Sequence, residues 1–336
     1  MTFLDRRVPV LAAPMAGAST PELAAAVSNA GGLGFLAAGY LSVEAMAAEV
    51  SAYREQTSAP VAINLFTPQT DRTTELSSQI SRHREALVAT AARHGTEPGA
   101  SRFDEDAFTE KVAWLREHPV DVVTFTFGPV PPEVVSDLQA VGTLVGFTVT
   151  SHQEGRAAVA LGADLLVAQG VGAGGHRGTW HVSDRPNGAD TDEVLTDVLG
   201  LGLPVIATGG VAGPDDVRAL LDTGAVAVAV GTLFLAADES KAAPAHVAAL
   251  TDEPPREALV TRAFSGRWAR ALANDFTRAH DATAVAAYPN LHHLSRPIRT
   301  AAARLGDPEA LALWAGSGHQ RAVTGPATEI VNRLAP

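Results

Sequence analysis

The chain has 336 residues, enough for roughly two domains or for one barrel with an insertion, and a chain of this length buries about three quarters of its unfolded surface. Hydrophobic residues make up 46% and charged residues 18%, a globular composition, and the lack of any cysteine excludes disulfides, thiolate metal sites, iron–sulfur clusters and cysteine catalysis. Lys and Arg number 25 against 37 Asp and Glu, a formal charge of −12 that argues against general nucleic-acid binding while leaving room for a local basic pocket.

Met1–Arg7 shows no basic stretch followed by an apolar run, so no signal peptide is expected. Val8–Ala13 reads as a strand, and a helix follows from Ser19 or Thr20, with Pro21 just inside it and Gly31-Gly32 beyond its end. Next come a strand at Leu33–Ala37, a helix near Ser42–Gln56 and a strand at Val61–Leu65. The polar stretch of about 71–118 holds more than one helix. Then strands at Val122–Phe127, Thr143–Val149, Leu165–Ala168, Pro204–Thr208 and Val226–Gly231 alternate with helices after Pro131-Pro132, at His152–Leu161, near Thr191–Leu199 and at Pro214–Thr223. The strands are short continuous apolar runs, as parallel strands covered on both faces should be. Eight of them separated by helices predict an α/β fold, a (β/α)8 TIM barrel, over an open sheet.

Residues 236–296 break the repeat, with Pro244, Pro254-Pro255 and Pro289 among helical stretches. They predict an inserted, mostly helical cap domain on the substrate side, with the barrel formed by 1–235 plus 297–336. The final segments, Pro297–Leu305, Pro308–Trp314 and Ala327–Leu334, read as helical. The longest apolar run, such as Ala225–Ala237, is too short to span a bilayer, so a cytoplasmic protein with no membrane partner is expected.

Barrel active sites lie at the C-terminal ends of the strands, and unusual residues cluster there. Gly209-Gly210 follows strand seven and Gly231-Thr232 follows strand eight. Glycine lets the backbone approach a phosphate, and Thr232 adds a hydroxyl donor, which predicts a phosphate site on these two loops. After strand six the string Gly170-Val171-Gly172-Ala173-Gly174-Gly175 formally matches a dinucleotide fingerprint, but a polar loop with Pro186 and Gly188 follows instead of a helix. The loop is expected to pack its backbone against a flat ring. His176 beside Gly174 and Gly175 is the candidate acid or base. Arg177 either binds phosphate or pairs with an acidic neighbour, His181 is expected to be structural or solvated, and His280-Asp281 is expected to be a solvated polar pair in the cap. His292-His293 point about 100° apart on a helix and cannot share a metal, so no metal is expected.

With Pro9–Gly17, Gly31-Gly32-Leu33-Gly34, Asn64-Leu65-Phe66, Gln169–Gly178, Ala207–Gly210, Val230–Thr232, Phe264–Arg267, Tyr288-Pro289 and Trp314–Gly316 in this order, the chain resembles the nitronate monooxygenase (2-nitropropane dioxygenase-like) family. The resemblance implies an FMN-dependent TIM-barrel oxidoreductase that uses dioxygen to oxidise alkyl nitronates, or nitroalkanes, to carbonyl compounds and nitrite. It implies that Ala13, Pro14 and Met15 pack on the flavin ring and that Asn64 and Gln169 hydrogen-bond it. Gly174, Gly175, Gly209, Gly210, Ala229, Val230, Gly231 and Thr232 would hold the cofactor and its phosphate, with His176 catalytic. The partners are a small-molecule substrate and dioxygen, and a homo-oligomer is left open. Similar proteins often carry Glu where this chain has Gly172. Two rival readings keep the barrel: an NAD(P)H-dependent flavin reductase of enoyl-thioester or quinone substrates, and a flavin-free phosphate-ligand barrel of the aldolase or isomerase class. The second lacks a strand-end lysine, since the lysines are Lys111 and Lys241.

Overall fold

The computed structural model describes residues 6–336. Residues 1–5, part of the stretch behind the signal-peptide expectation, lie outside the described residues. Eight parallel strands close into a barrel in the order β1 (Val10–Ala12), β2 (Leu33–Ala37), β3 (Ala62–Phe66), β4 (Val122–Thr126), β5 (Leu144–Val149), β6 (Leu165–Gln169), β8 (Val205–Thr208) and β9 (Ala227–Val230). β9 pairs back onto β1, with Ala12 opposite Val230. The eight strands expected from the sequence are therefore the eight staves.

Along each stave successive side chains enter two different cores. Leu11, Leu33, Phe35, Ala62, Val122, Leu165, Ile206 and Ala227 fill the barrel interior. Their neighbours, among them Val10, Leu36, Ile63, Val123 and Val205, face the surrounding helices. Both faces are dry, which is why the strands read as unbroken apolar runs.

The outer helices start where the sequence provides a cap. Thr20 Oγ1 accepts from Leu23 N–H at 2.9 Å to open α1 (Pro21–Asn29), and Ser42 Oγ accepts from Ala45 N–H to open α2 (Val43–Gln56). The 71–118 stretch yields α3 (Ser77–Arg93) and α4 (Phe108–Glu117), followed around the barrel by α5 (Pro132–Ala140) and α6 (His152–Ala160). Asp190 and Glu193 form a reciprocal capping box on α7 (Thr191–Leu199), and α8 (Pro214–Thr223) leads into β9. The short α9 (Thr232–Leu235) follows β9, and α13 (Ala327–Leu334) closes the chain.

Residues 236–296 contain α10 (Pro244–Ala249), α11 (Asp275–His280) and the start of α12 (Asn290–Leu305), which runs unbroken through Pro297. They also hold a hairpin that the sequence did not announce, β10 (Ala258–Thr261) and β11 (Ala269–Leu272). Four-residue strands are too short for periodicity to reveal them. β11 pairs antiparallel with β7 (Gly175–His176), a two-residue strand in the loop after β6, so the barrel rim and the insertion share a sheet. Pro308–Trp314 forms one 3-10 turn at Pro308–Ala310 and then extends, with Trp314 bridging Ala271, instead of forming the expected helix. His280, expected in solvent, is buried and bonds Thr90 Oγ1 of α3 at 2.8 Å, tying the insertion to that helix. No helix among the described residues is long and apolar enough to cross a membrane.

Candidate active site

A cavity of about 440 Å³ opens at the C-terminal rim of the barrel. It is lined by Ala13, Pro14 and Met15 after β1, Asn64 of β3, Gln169 of β6, Gly174, Gly175 and His176 of the next loop, Gly209 and Gly210 after β8, and Ala229, Val230, Gly231 and Thr232 from the end of β9. The structure thus brings these sequence-derived candidates to the walls of one space, Arg177 excepted.

Side chains of the barrel strands set its polar floor. Asn64 Nδ2 donates to Thr124 O at 3.1 Å and to the hydroxyls of Thr124 and Thr126 at 2.9 Å, leaving Oδ1 without a partner among the described residues. Gln169 Oε1 accepts from Gly178 N–H at 2.8 Å and from Arg177 Nη1 at 3.0 Å, while Nε2 donates one proton to the His176 carbonyl at 3.2 Å. One N–H of Gln169 and one carbonyl oxygen of Asn64 therefore stay available at the floor.

Arg177 takes neither role that its sequence position allowed. It is fully buried, and its guanidinium bonds Gln169 Oε1 and the Gly170 carbonyl, so it braces the loop from behind instead of meeting a phosphate or an acid. The glycine string is also not shaped by a flat ring alone. A Cβ on Gly172 would lie 2.8 Å from Ser317 Oγ and 2.9 Å from Gly210 Cα, and one on Gly174 would lie 2.5 Å from Gly316 N. Gly172 thus sits against the Gly210 backbone and the Ser317 side chain, and Gly174 against the backbone of Ala315 and Gly316, so a larger side chain at either position has to displace backbone.

At the opposite end, Gly209 (φ +121°) and Gly210 (φ +74°) adopt left-handed backbone. The N–H groups of Gly210 and Thr232 have no hydrogen-bond partner among the described residues. Thr232 Oγ1 accepts from Gly316 N–H at 2.9 Å, so its own proton is free to donate. Unspent donors converging from the last two barrel loops are what a phosphate needs. The cavity's atoms therefore fit a planar, phosphate-bearing cofactor: donors at one end, a polar floor at Asn64 and Gln169, and a volume within the range of about 300–1,000 Å³ typical of such pockets.

His176 stands on the wall. Its Nε2 lies 2.8 Å from Ser265 Oγ, and its ring sits edge-on to Phe127 and near Tyr288 and Trp314, with centroids 5.5, 6.0 and 5.3 Å away. The ring is partly exposed, but only towards the cavity; surrounding protein desolvates it, and Arg267 and Arg299 add positive field, so its pKa falls to about 3. It is a neutral imidazole at working pH, able to polarise or to accept a proton.

Sequence reasoning missed several wall residues. Tyr40 (φ +68°) is held by donating its N–H to Asp106 Oδ1 at 2.9 Å, and Asp106 is paired with buried Lys111 at 2.8 Å. Burial pushes the Tyr40 phenol up to about 12, and its ring stacks on His292 with centroids 4.0 Å apart. Phe127 (φ +89°) lies under the Arg267 guanidinium, 4.1 Å from the ring centre. Arg299 lines the cavity from α12. Its only sequence signal was a shared helix face with His292 and Ser295, at spacings of seven and four.

The whole chain, residues 1–336, matches the family model described as nitronate monooxygenase. A probable nitronate monooxygenase of Staphylococcus aureus (strain Newman) is 34% identical over 337 residues, covering 99% of this chain and 94% of that protein. Among solved structures, a nitroalkane oxidase from Streptomyces ansochromogenes is 42% identical with a TM-score of 0.94, covering 100% of this chain and 97% of that one. FabK from Thermotoga maritima is 26% identical with a TM-score of 0.77, covering 99% of this chain and 93% of that one. The fold, the rim cavity and these likenesses agree: the chain belongs to the nitronate monooxygenase family, whose members are in general flavin-dependent oxidoreductases.

Proposed function

We propose that the protein is an FMN-dependent enzyme that oxidises alkyl nitronates with dioxygen to carbonyl compounds and nitrite. The observation that carries this reading is His176 on the wall of a cavity whose other end offers unspent donors at Gly210 and Thr232. The likeness to a nitroalkane oxidase supports it. Gly210, Gly231 and Thr232 hold the phosphate, the Ala13–Met15 segment flanks the ring, and Asn64 Oδ1 and the free N–H of Gln169 meet the ring's polar edge. A flavin held there supplies the electron acceptor. His176, with its Nε2 turned to Ser265, presents Nδ1 to the substrate and takes a proton where the neutral nitroalkane enters. Residues 236–296 act as the substrate-side cover, with Ser265 bonded to the imidazole and Tyr288 beside it.

The test begins with the visible spectrum of the purified protein and the flavin released on denaturation. FMN, together with nitrite formed in step with loss of a preformed nitronate and uptake of dioxygen, is the expected result. A colourless protein, or anaerobic bleaching by NADH with no nitrite from nitronate in air, would exclude the proposal in favour of the barrel's other chemistries.

A further inference from the structure

Arg177, Arg267 and Arg299 lie close to the site, none pairs with a carboxylate among the described residues, and of the three only Arg299 lines the cavity. Arg177 spends its guanidinium on Gln169 and Gly170, and Arg267 spends its own on Thr179 O at 2.6 Å, on Gln69 Oε1 and on the Phe127 ring. Arg299 differs. Its Nε donates to Ser295 Oγ at 3.1 Å and its Nη2 to His292 Nδ1 and O, both at 3.2 Å. Its Nη1 has no protein partner among the described residues, and the side chain reaches the cavity.

The cavity wall carries no Asp or Glu, in a chain with a formal charge of −12, and its two permanent cations differ: Lys241 is exposed to solvent, whereas Arg299 is partly buried beside His292. An unpaired cation on a poorly hydrated wall is costly, and an anion in the cavity removes that cost. Burial lowers the Arg299 pKa only to about 10, so the cation persists at neutral pH. Its field falls on His176, His292 and Tyr40, whereas the phosphate donors Gly210 and Thr232 belong to the loops beside Ser317 and Gly316. The anion facing Arg299 is thus the one that meets His176.

Resting on the nitronate reading above, we propose that Arg299 is a specificity-determining residue: it anchors the anionic oxygen atoms of the substrate and makes the enzyme select the ionised nitronate over the neutral nitroalkane. His292 and Ser295 position it by fixing Nη2 and Nε, which leaves Nη1 to meet the ligand.

Nitroalkanes ionise slowly, so the two forms can be offered separately to holoenzyme at one pH. Arg299→Met is expected to raise KM for the preformed nitronate by about 10- to 150-fold, the worth of one hydrogen bond to a charged group. Its kcat should stay within about threefold, and kcat/KM for the neutral nitroalkane should change far less. Arg299→Lys, which keeps the charge, should recover part of the loss; if Arg299→Met fails to fold, an unchanged KM in Arg299→Lys overturns the proposal. Nitrate, an inert planar anion, should bind wild-type holoenzyme by calorimetry and lose that affinity in Arg299→Met. Retained nitrate affinity, equal losses for both substrate forms, or loss of flavin with unchanged KM would each overturn the proposal. If the wild type forms no nitrite yet nitrate affinity vanishes in Arg299→Met, the nitronate reading fails and the anion anchor stands.

Discussion

His176 Nε2 and Ser265 Oγ meet at 2.8 Å across the seam between the barrel rim and the insertion. Ser265 Oγ also lies 3.2 Å from the Arg267 carbonyl and donates to it. With the hydroxyl proton spent there, the imidazole donates from Nε2, and Nδ1 keeps its lone pair on a ring that lines the cavity. Ser265→Ala removes the bond that selects this tautomer. Turnover of the nitroalkane should fall by about 5- to 10-fold, the worth of one neutral hydrogen bond, with flavin content unchanged. His176→Asn should cut it far more sharply. Equal turnover in wild type and both variants would separate the imidazole from the chemistry.

Buried histidines also make the fold acid-labile. The pKa of His83 is lowered to about 4 and that of His176 to about 3, in both cases chiefly by burial, against 6.5 for the free ring. Above about pH 6.5 neither the folded nor the unfolded chain binds these protons, and no stability is lost. Below it the unfolded chain takes up protons that the folded one refuses. Stability then falls by up to about 1.4 kcal/mol per pH unit for each ring, until pH approaches the folded values. Urea midpoints should drop steadily between about pH 6.5 and 4. A flat profile over that interval would mean that neither ring is held neutral. For the same reason kcat/KM should show no ionisation of His176 near 6.5.

Gly172 offers a steric test. Its Cβ would meet Ser317 Oγ at 2.8 Å and the backbone of Gly210 at 2.9 Å, so Gly172→Glu must push apart two loops that border the phosphate end. Overpacking of this kind costs about 1–3 kcal/mol, and flavin should dissociate more readily on dilution. Gly172→Ala combined with Ser317→Gly should restore part of the loss, because one of the two obstacles is gone. Tight flavin retention in Gly172→Glu would show that the 316–318 segment moves freely.

The barrel was legible because its code is local. Continuous apolar runs mark dry strands, and Thr20, Ser42 and Asp190 mark helix starts by bonding their own first turns. The tight turn after β8 was legible because glycine at 209 and 210 reports a backbone that other residues avoid. What escaped was decided by tertiary contact. Arg177 and Arg299 have the same side chain, yet one is buried against Gln169 and the other opens into the cavity, a difference that residue type alone does not carry. Likewise β10 and β11 are strands because they pair with each other, and β11 with β7, contacts that four-residue runs do not announce.

That shared sheet has a mechanical consequence. His176 is paired with Ala269, and Arg177 N–H donates to Trp268 O at 2.8 Å, so the imidazole is stitched to the roof as firmly as to the staves beneath it. The position of the imidazole over the rim is therefore set by the hairpin and the barrel together, and a change in either is felt at the ring.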